Sequence, residues 1–281
     1  MAGMKVGAAG NSFGQLLRGW RETRRVSQLD LALSAEVSSR HISFIETGRA
    51  QPSREMVLLL SSVLDVPLRE RNALLYAAGF APIYRETDLN DPQMAQARQA
   101  LTLILDQMGP FGAIAFDRRW DVVMANAAFW RMIAPLAGPD FQAPPPLAVI
   151  PPPRLNALQM LFDPAGWRPF IRNWETVARA ALERAHREYL QDQHPAQREI
   201  LELVLSYPGV PDRWRQPDLS VAQDILIPVE LALGPHTVRL FTTITSLGSA
   251  QDITLQELRI ETFHPMDDET RALILALAEQ A

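Results

Sequence analysis

The chain has no cysteine and a single lysine, Lys5, in 281 residues. Without thiols there is no disulfide framework and no Cys-ligated metal site, which fits a reducing compartment. Without a second lysine, a Ser–Lys catalytic dyad has nothing to draw on but the N-terminal tail. Glycine is sparse at 14 residues, and none falls in a G-x-G-x-x-G or P-loop pattern, so no phosphate-cradling loop is expected. No apolar run approaches the ~20 residues that span a bilayer, and "MAGMKVGAAGNSFG" lacks the apolar centre of a signal peptide. These absences predict a cytoplasmic protein with no membrane partner.

The histidines are His41, His186, His194, His236 and His264. No two of them have helical metal-ligand spacing, so no metal site is expected. Asp267/Asp268 and Glu183/Glu188 read as cap and solvated-face charges rather than a catalytic pair. A haem held by one histidine is the only cofactor reading left open. The expectation is a protein with no cofactor that is not an enzyme.

The net charge of −5 is unevenly spread. Residues 1–80 carry ten Lys and Arg against seven Asp and Glu, and the remainder carries 17 against 25. A basic head on an acidic body suggests that the head faces a polyanion.

The first 80 residues read as five short helices. "SFGQLLRGWRETRR" spaces Phe13, Leu16, Leu17 and Trp20 helically behind Ser12, and Ser27, Ser38 and Ser53 each stand where a helix N-cap belongs. Pro67 sits at a first helical turn. Residues 81–92, "APIYRETDLNDP", read as a linker. From residue 93 the pattern is α+β. It begins with a long helix behind Pro92, then "FGAIAF" and "WDVVMAN" as a hairpin, then "NAAFWRMI" as a helix. A Pro-rich loop and two amphipathic helices follow. "DILIPVELAL", "HTVRLFTTITSL" and "DITLQELRIETFHP" supply three more strands, and a closing helix ends the chain. The sum is a five-stranded antiparallel sheet with a helical insertion.

Within the head, counting from Gln28 reveals steric demands met at fixed offsets. Ala32 is small where two helices must cross. Leu31, Ala35, Val37, Ile42 and Ile45 are apolar where a shared core is required, and Ser38 caps the second helix. Glu36 stands where the turn's left-handed backbone usually calls for glycine, at a cost of ~1 kcal/mol. "SQLDLALSAEVSSRHISFIETGRAQPS" resembles the Cro/repressor-type (XRE-like) helix-turn-helix family, over residues 12–66. The resemblance implies a lambda-repressor-like fold in which Gln28 binds a DNA phosphate and Arg21 pairs with Glu46.

With Ile42 and Ile45 committed to the core, Ser39, Arg40, His41, Ser43 and Phe44 become candidate readers of base edges in the major groove. Arg40 is the foremost, because its fork can donate to O6 and N7 of guanine. Gln28, Ser38, Arg24, Arg25 and Arg49 are the candidate phosphate contacts. The bland alternative is a solvated helix face. One such unit covers little DNA, so a homodimer on a palindromic operator is expected, with recognition helices about 34 Å apart.

The body, residues 93–281, resembles the MmyB-like ligand-binding domain, a PAS-like arrangement. The resemblance is carried by "FDRRWDVVMANAAFWRMI", "LFDPAGWRPFIRNWETVARAALERAHREY" and the terminal hairpin. It implies a small apolar effector, fatty-acid-like or of another apolar class. Candidate lining residues are Phe116, Trp120, Asn126, Phe129, Trp130, Phe170, Trp174 and Phe241, each of which could instead be plain core. Two functions therefore stand side by side. One is a transcriptional regulator whose operator affinity responds to an apolar ligand. The other is a DNA-tethered protein whose body docks a protein partner.

Overall fold

The computed structural model describes residues 12–192, 194–216, 226–248 and 250–279. In chain order the elements are α1 (Phe13–Thr23), α2 (Gln28–Ser34), α3 (Ser39–Glu46), α4 (Arg54–Val63), α5 (Leu68–Ala77), α6 (Ala95–Gln107), β1 (Ala113–Phe116), β2 (Val122–Ala125), α7 (Ala127–Ala137), α8 (Ala157–Phe162), α9 (Trp174–Asp192), α10 (Pro195–Ser206), β3 (Val229–Leu233), β4 (His236–Thr245), α11 (Ile253–Glu257), β5 (Arg259–Pro265) and α12 (Asp268–Glu279). The chain divides into two compact units, one reaching to Glu86 and including the stretch 250–256, the other comprising the remainder.

The first unit is the five-helix head. Ser12, Ser27, Ser38 and Ser53 each accept a backbone N–H of the following first turn. Each cap satisfies a donor that would otherwise have no partner, worth about 1 kcal/mol. Pro67 precedes α5 with no side-chain cap. The Leu68 N–H instead donates to Gln256 Oε1 at 2.7 Å, and Ile253 N–H donates to the Arg85 carbonyl at 2.8 Å. The core gathers Leu17, Leu31, Ile42, Ile45, Val57, Leu60 and Leu75, all essentially sealed from solvent. Burying each such side chain contributes about 1.5–3 kcal/mol.

The second unit is built on a five-stranded antiparallel sheet of order β2-β1-β5-β4-β3. Ile114 pairs with Ala125 and Glu261, Thr242 with Phe263, and Leu231 with Val238. Strand alternation therefore puts Ile114, Phe116, Glu261, Phe263, Val238, Leu240 and Leu231 on one face. That face shares a core with Phe129 and Ile133 of α7, Phe162 of α8, Leu182 of α9 and Val204 of α10. Asn126 locks the start of α7. Its Oδ1 accepts from the Ala113 and Phe129 N–H groups, and its Nδ2 donates to the carbonyls of Leu105 and Phe111.

The structure departs from the sequence expectation in the last third. "DITLQELRIETFHP" is not one strand: Ile253–Glu257 is helical and the strand begins at Arg259. Asp252 explains the break, because its Oδ1 accepts the Thr254 N–H and its carbonyl accepts the Gln256 N–H. The strand expected from "DILIPVELAL" starts only at Val229. Pro228 cannot donate to a ladder, and the earlier part of that expectation, 224–225, lies outside the described residues. The helix expected from Phe170 starts at Trp174, since Ile171 is extended and bridges to Leu231.

Glu36 adopts φ 54° in the turn between α2 and α3, so a side chain is held in the left-handed region. Glu36→Gly should relieve that strain, raising head stability by up to about 1 kcal/mol after the entropy of the more flexible unfolded chain is subtracted. Amide exchange of α2 and α3 in the full chain checks this: slower exchange is expected, and faster exchange contradicts it.

Candidate nucleic-acid interface and effector cavities

The second motif helix, α3, is held on its inner side by Ile42 and Ile45, with relative exposures of 0% and 1%. Its outer side carries Ser39 and Arg40, both exposed, and His41, Ser43 and Phe44, half-buried. Arg40 and Arg49 both approach the Phe44 ring, at 5.1 and 6.0 Å from its centroid. Neither guanidinium has a carboxylate partner among the described residues. The ring therefore spaces two uncommitted cations along one surface while covering its own apolar face.

The far end of α3 is pinned by charge. Arg21 of α1 grips Glu46 through both nitrogens of its fork, Nε to Oε1 at 2.6 Å and Nη2 to Oε2 at 3.1 Å. A third donation, from Nη1 to the Val26 carbonyl, fixes the guanidinium against the α1–α2 connection. Gln28 adds Nε2 to Oε2 at 2.7 Å. The Glu46 side chain is 3% exposed and that of Arg21 11%. The hydrogen bond to Glu46 is the main reason the Arg21 pKa rises above its ordinary value, with desolvation opposing it.

The expected phosphate contacts divide. Arg25 and Arg49 are exposed, and neither has a carboxylate partner among the described residues. Ser38 is spent on the cap of α3. Arg24 donates to the carbonyls of Leu64 and Asp65 and lies over Trp20. One donor of Gln28 is committed to Glu46. Arg24 and Gln28 thus have structural duties that the residue pattern did not disclose.

Sequence reasoning passed over Gly14. A Cβ there would sit 2.5 Å from the carbonyl oxygens of both Ile45 and Glu46, so α1 and α3 touch backbone to backbone. Nothing local in "SFGQLL" marks this, because the constraint arises only when the helices cross.

In the body, the residues expected to line a pocket are distributed differently. Phe116, Trp120, Phe129 and Trp130 are buried in the core cluster. Asn126 is the α7 cap. Phe170 and Trp174 pack at the edge of the core, with Trp174 Nε1 donating to the Leu161 carbonyl at 2.8 Å. Phe241 stacks on His264 at 5.0 Å.

Two cavities stand out, lined by other residues. One is a narrow apolar slot between α7, the sheet and α12, walled by Ala128, Met132, Leu240, Phe263, Ile274 and Leu277, with Arg131 at its edge. Arg131 has no ion-pair partner among the described residues. The other, of about 250 Å³, is lined by Arg179, Glu183 and His186 of α9 and by Arg213 and Trp214. Burial lowers the His186 pKa below the ordinary histidine value.

Arg184, also unforeseen, lies 3.8 Å over the Trp120 ring. Among the described residues its Nε and Nη2 lack hydrogen-bond partners, although Glu188 stands 3.6 Å away. Desolvation lowers its pKa, and burial raises that of Glu261 across from it on β5, where Arg184 pulls the other way.

Gly14→Ala should push α3 off its seat. Overpacking of this kind costs about 1–3 kcal/mol. The expected result is a lower unfolding midpoint together with weaker DNA binding. A variant that melts and binds DNA like the parent would show that the close approach is slack.

No helix among the described residues is long and apolar enough to cross a membrane. A comparison with curated proteins gave no match. Residues 12–74 match a helix-turn-helix domain, and residues 97–277 match the MmyB-like transcription regulator ligand binding domain. The second match covers well over half of the chain, and the two fall on the head and the sheet-based body. The chain belongs to the MmyB-like transcription regulators, DNA-binding proteins that pair a helix-turn-helix head with a ligand-binding body.

Proposed function

We propose that the protein is a sequence-specific regulator of the XRE type that binds a palindromic operator as a homodimer and loses or gains affinity when a small apolar ligand, fatty-acid-like in class, occupies its body. The observation that carries the DNA half is the outer surface of α3 and the turn that follows it, where Arg40 and Arg49 flank Phe44 without carboxylate partners among the described residues. Arg40 reads a guanine edge, with Ser39, His41 and Ser43 beside it. Arg25 and Arg49 contact phosphates, and the core-facing isoleucines set the depth of entry.

The ligand half is supported by the apolar slot with Arg131 at its edge. A hydrocarbon body against Leu240, Phe263 and Ile274 and an anionic head at Arg131 would match that lining. The slot is narrow, and α12, with Thr270 its only fully buried residue, is the wall able to give way. The sheet order, with first and last strands adjacent at its centre, supports a PAS-like sensor reading. Ligand binding shifts the equilibrium between head spacings that fit and do not fit the operator. A cytoplasmic location follows from this reading.

Selection of binding sites from a random DNA pool, repeated with two variants, tests the DNA half. Arg40→Ala should relax preference at one base pair per half-site, at about 1–3 kcal/mol of lost discrimination. Arg49→Ala should weaken all sequences alike and reduce the salt slope by about one. Identical behaviour of the two variants would refute the division of labour.

For the ligand half, titrating the selected operator with decanoate and laurate should change its affinity, and Arg131→Gln should weaken that response about tenfold. If no acyl chain changes affinity or half-site spacing, the body is a docking module rather than a sensor.

A further inference from the structure

The 250 Å³ cavity has chemistry unlike that of the apolar slot. Arg179, Leu182, Glu183 and His186 recur at helical spacing along α9, so they share one face of it. The opposite wall is the short 3₁₀ turn Asp212–Arg215, which contributes Arg213 and Trp214.

Charge and hydrogen bonding there are unbalanced. Arg179 Nε donates to Glu183 Oε1 at 3.2 Å, so these two charges offset each other. Arg213 has no ion-pair partner among the described residues, and its neighbour Asp212 is paired with Arg215 at 3.6 Å. Among the described residues, His186 Nε2 is buried without a hydrogen-bond partner. A buried polar atom left unsatisfied costs stability, so a group that can pair with it is favoured there. Leu182 and Trp214, both nearly sealed, supply an apolar wall.

We propose that this cavity binds a small organic monoanion, a carboxylate on a single aromatic ring or a short aliphatic chain. Arg213 pairs with the carboxylate, His186 donates to it from Nε2–H, and the ring or chain packs on Leu182 and Trp214. The ligand is singly charged because, among the described residues, Glu183 is paired with Arg179 while Arg213 has no ion-pair partner. It is small because the volume falls below the roughly 300 Å³ at which pockets for drug-sized molecules begin. It is organic because part of the lining is hydrocarbon, which a hydrated inorganic anion gains nothing by touching. The site is separate from the acyl slot and does not depend on that reading.

Calorimetric titration of the full-length chain with benzoate and hexanoate tests the proposal, with benzyl alcohol, hexanol and inorganic phosphate as comparators. One saturable carboxylate site per chain is expected, with the alcohols and phosphate at least about tenfold weaker. Arg213→Gln should weaken the acids by about tenfold or more, with partial recovery in Arg213→Lys. Because Arg213 is exposed, neither variant endangers the fold. Arg131→Gln should leave the titration unchanged.

Absence of saturable binding by both acids at millimolar concentration would overturn the proposal. So would alcohols that bind as well as the acids, or Arg213→Gln that binds like the parent. Loss of binding in Arg131→Gln would place the acid in the slot and overturn it equally.

Discussion

The second helix of the motif, α3, is positioned by one buried ion pair. Arg21 and Glu46 meet in a two-pronged contact that water barely reaches, with Gln28 and the Val26 carbonyl completing the set of partners. A buried pair of this kind is a poor source of net stability, because desolvating both charges consumes most of the attraction. Its value is geometric. Both carboxylate oxygens are used, so rotation of Glu46 away from Arg21 strands a charge, and α3 is held in one azimuth about its axis. Ile42 and Ile45 fix how deep it sits, and Gly14 allows α1 to come close enough for the fork to reach. The outward direction of Arg40 is a consequence of all three.

The body follows a different logic. Asn126 and Asn156 act as buried polar fasteners. The first ties α6, β1 and α7 together, and the second joins the loop after β1 to α8 through Arg119, Asp121 and Gln159. Around these fixed points the aromatic residues fill the core. Two openings lie at the margin of that core: the apolar slot beside α12 and the cavity beside α9. Their linings differ: the slot has hydrocarbon walls with one arginine, and the cavity has two arginines, a carboxylate and an imidazole beside Leu182 and Trp214.

The head was legible because its signals are local. Serine caps, a 3.6-residue period and small residues at a helix crossing all lie within a few positions of one another. They placed the five helices, the four serine caps and the buried face of α3. In the body the presence of five strands was legible from hydrophobic runs, but their limits were not. Ile253 and Leu255 alternate as a strand would, and so do Leu258 and Ile260, but the two pairs are out of phase, and the Asp252 cap makes the first a helical turn. The sites were the least legible part. Gly14 matters through a contact with Ile45 and Glu46, far along the chain, and Arg131, Arg213 and His186 draw notice only because they lack partners among the described residues. Large aromatics drew attention as pocket residues because size is visible in a sequence, whereas an unfilled volume is not.

On the proposed reading, α3 engages DNA only while Arg21 and Glu46 hold it. A double-mutant cycle with Arg21→Met and Glu46→Met, read as affinity of the full chain for a selected operator, tests this most directly. Each single change leaves one charge buried without its partner, at about 3–5 kcal/mol. Each should therefore depress affinity strongly, while the double variant, free of stranded charge, should recover part of it, giving a coupling well above experimental error. If the two losses simply add, or if neither variant alters operator affinity, the ion pair does not hold α3 in a DNA-binding position.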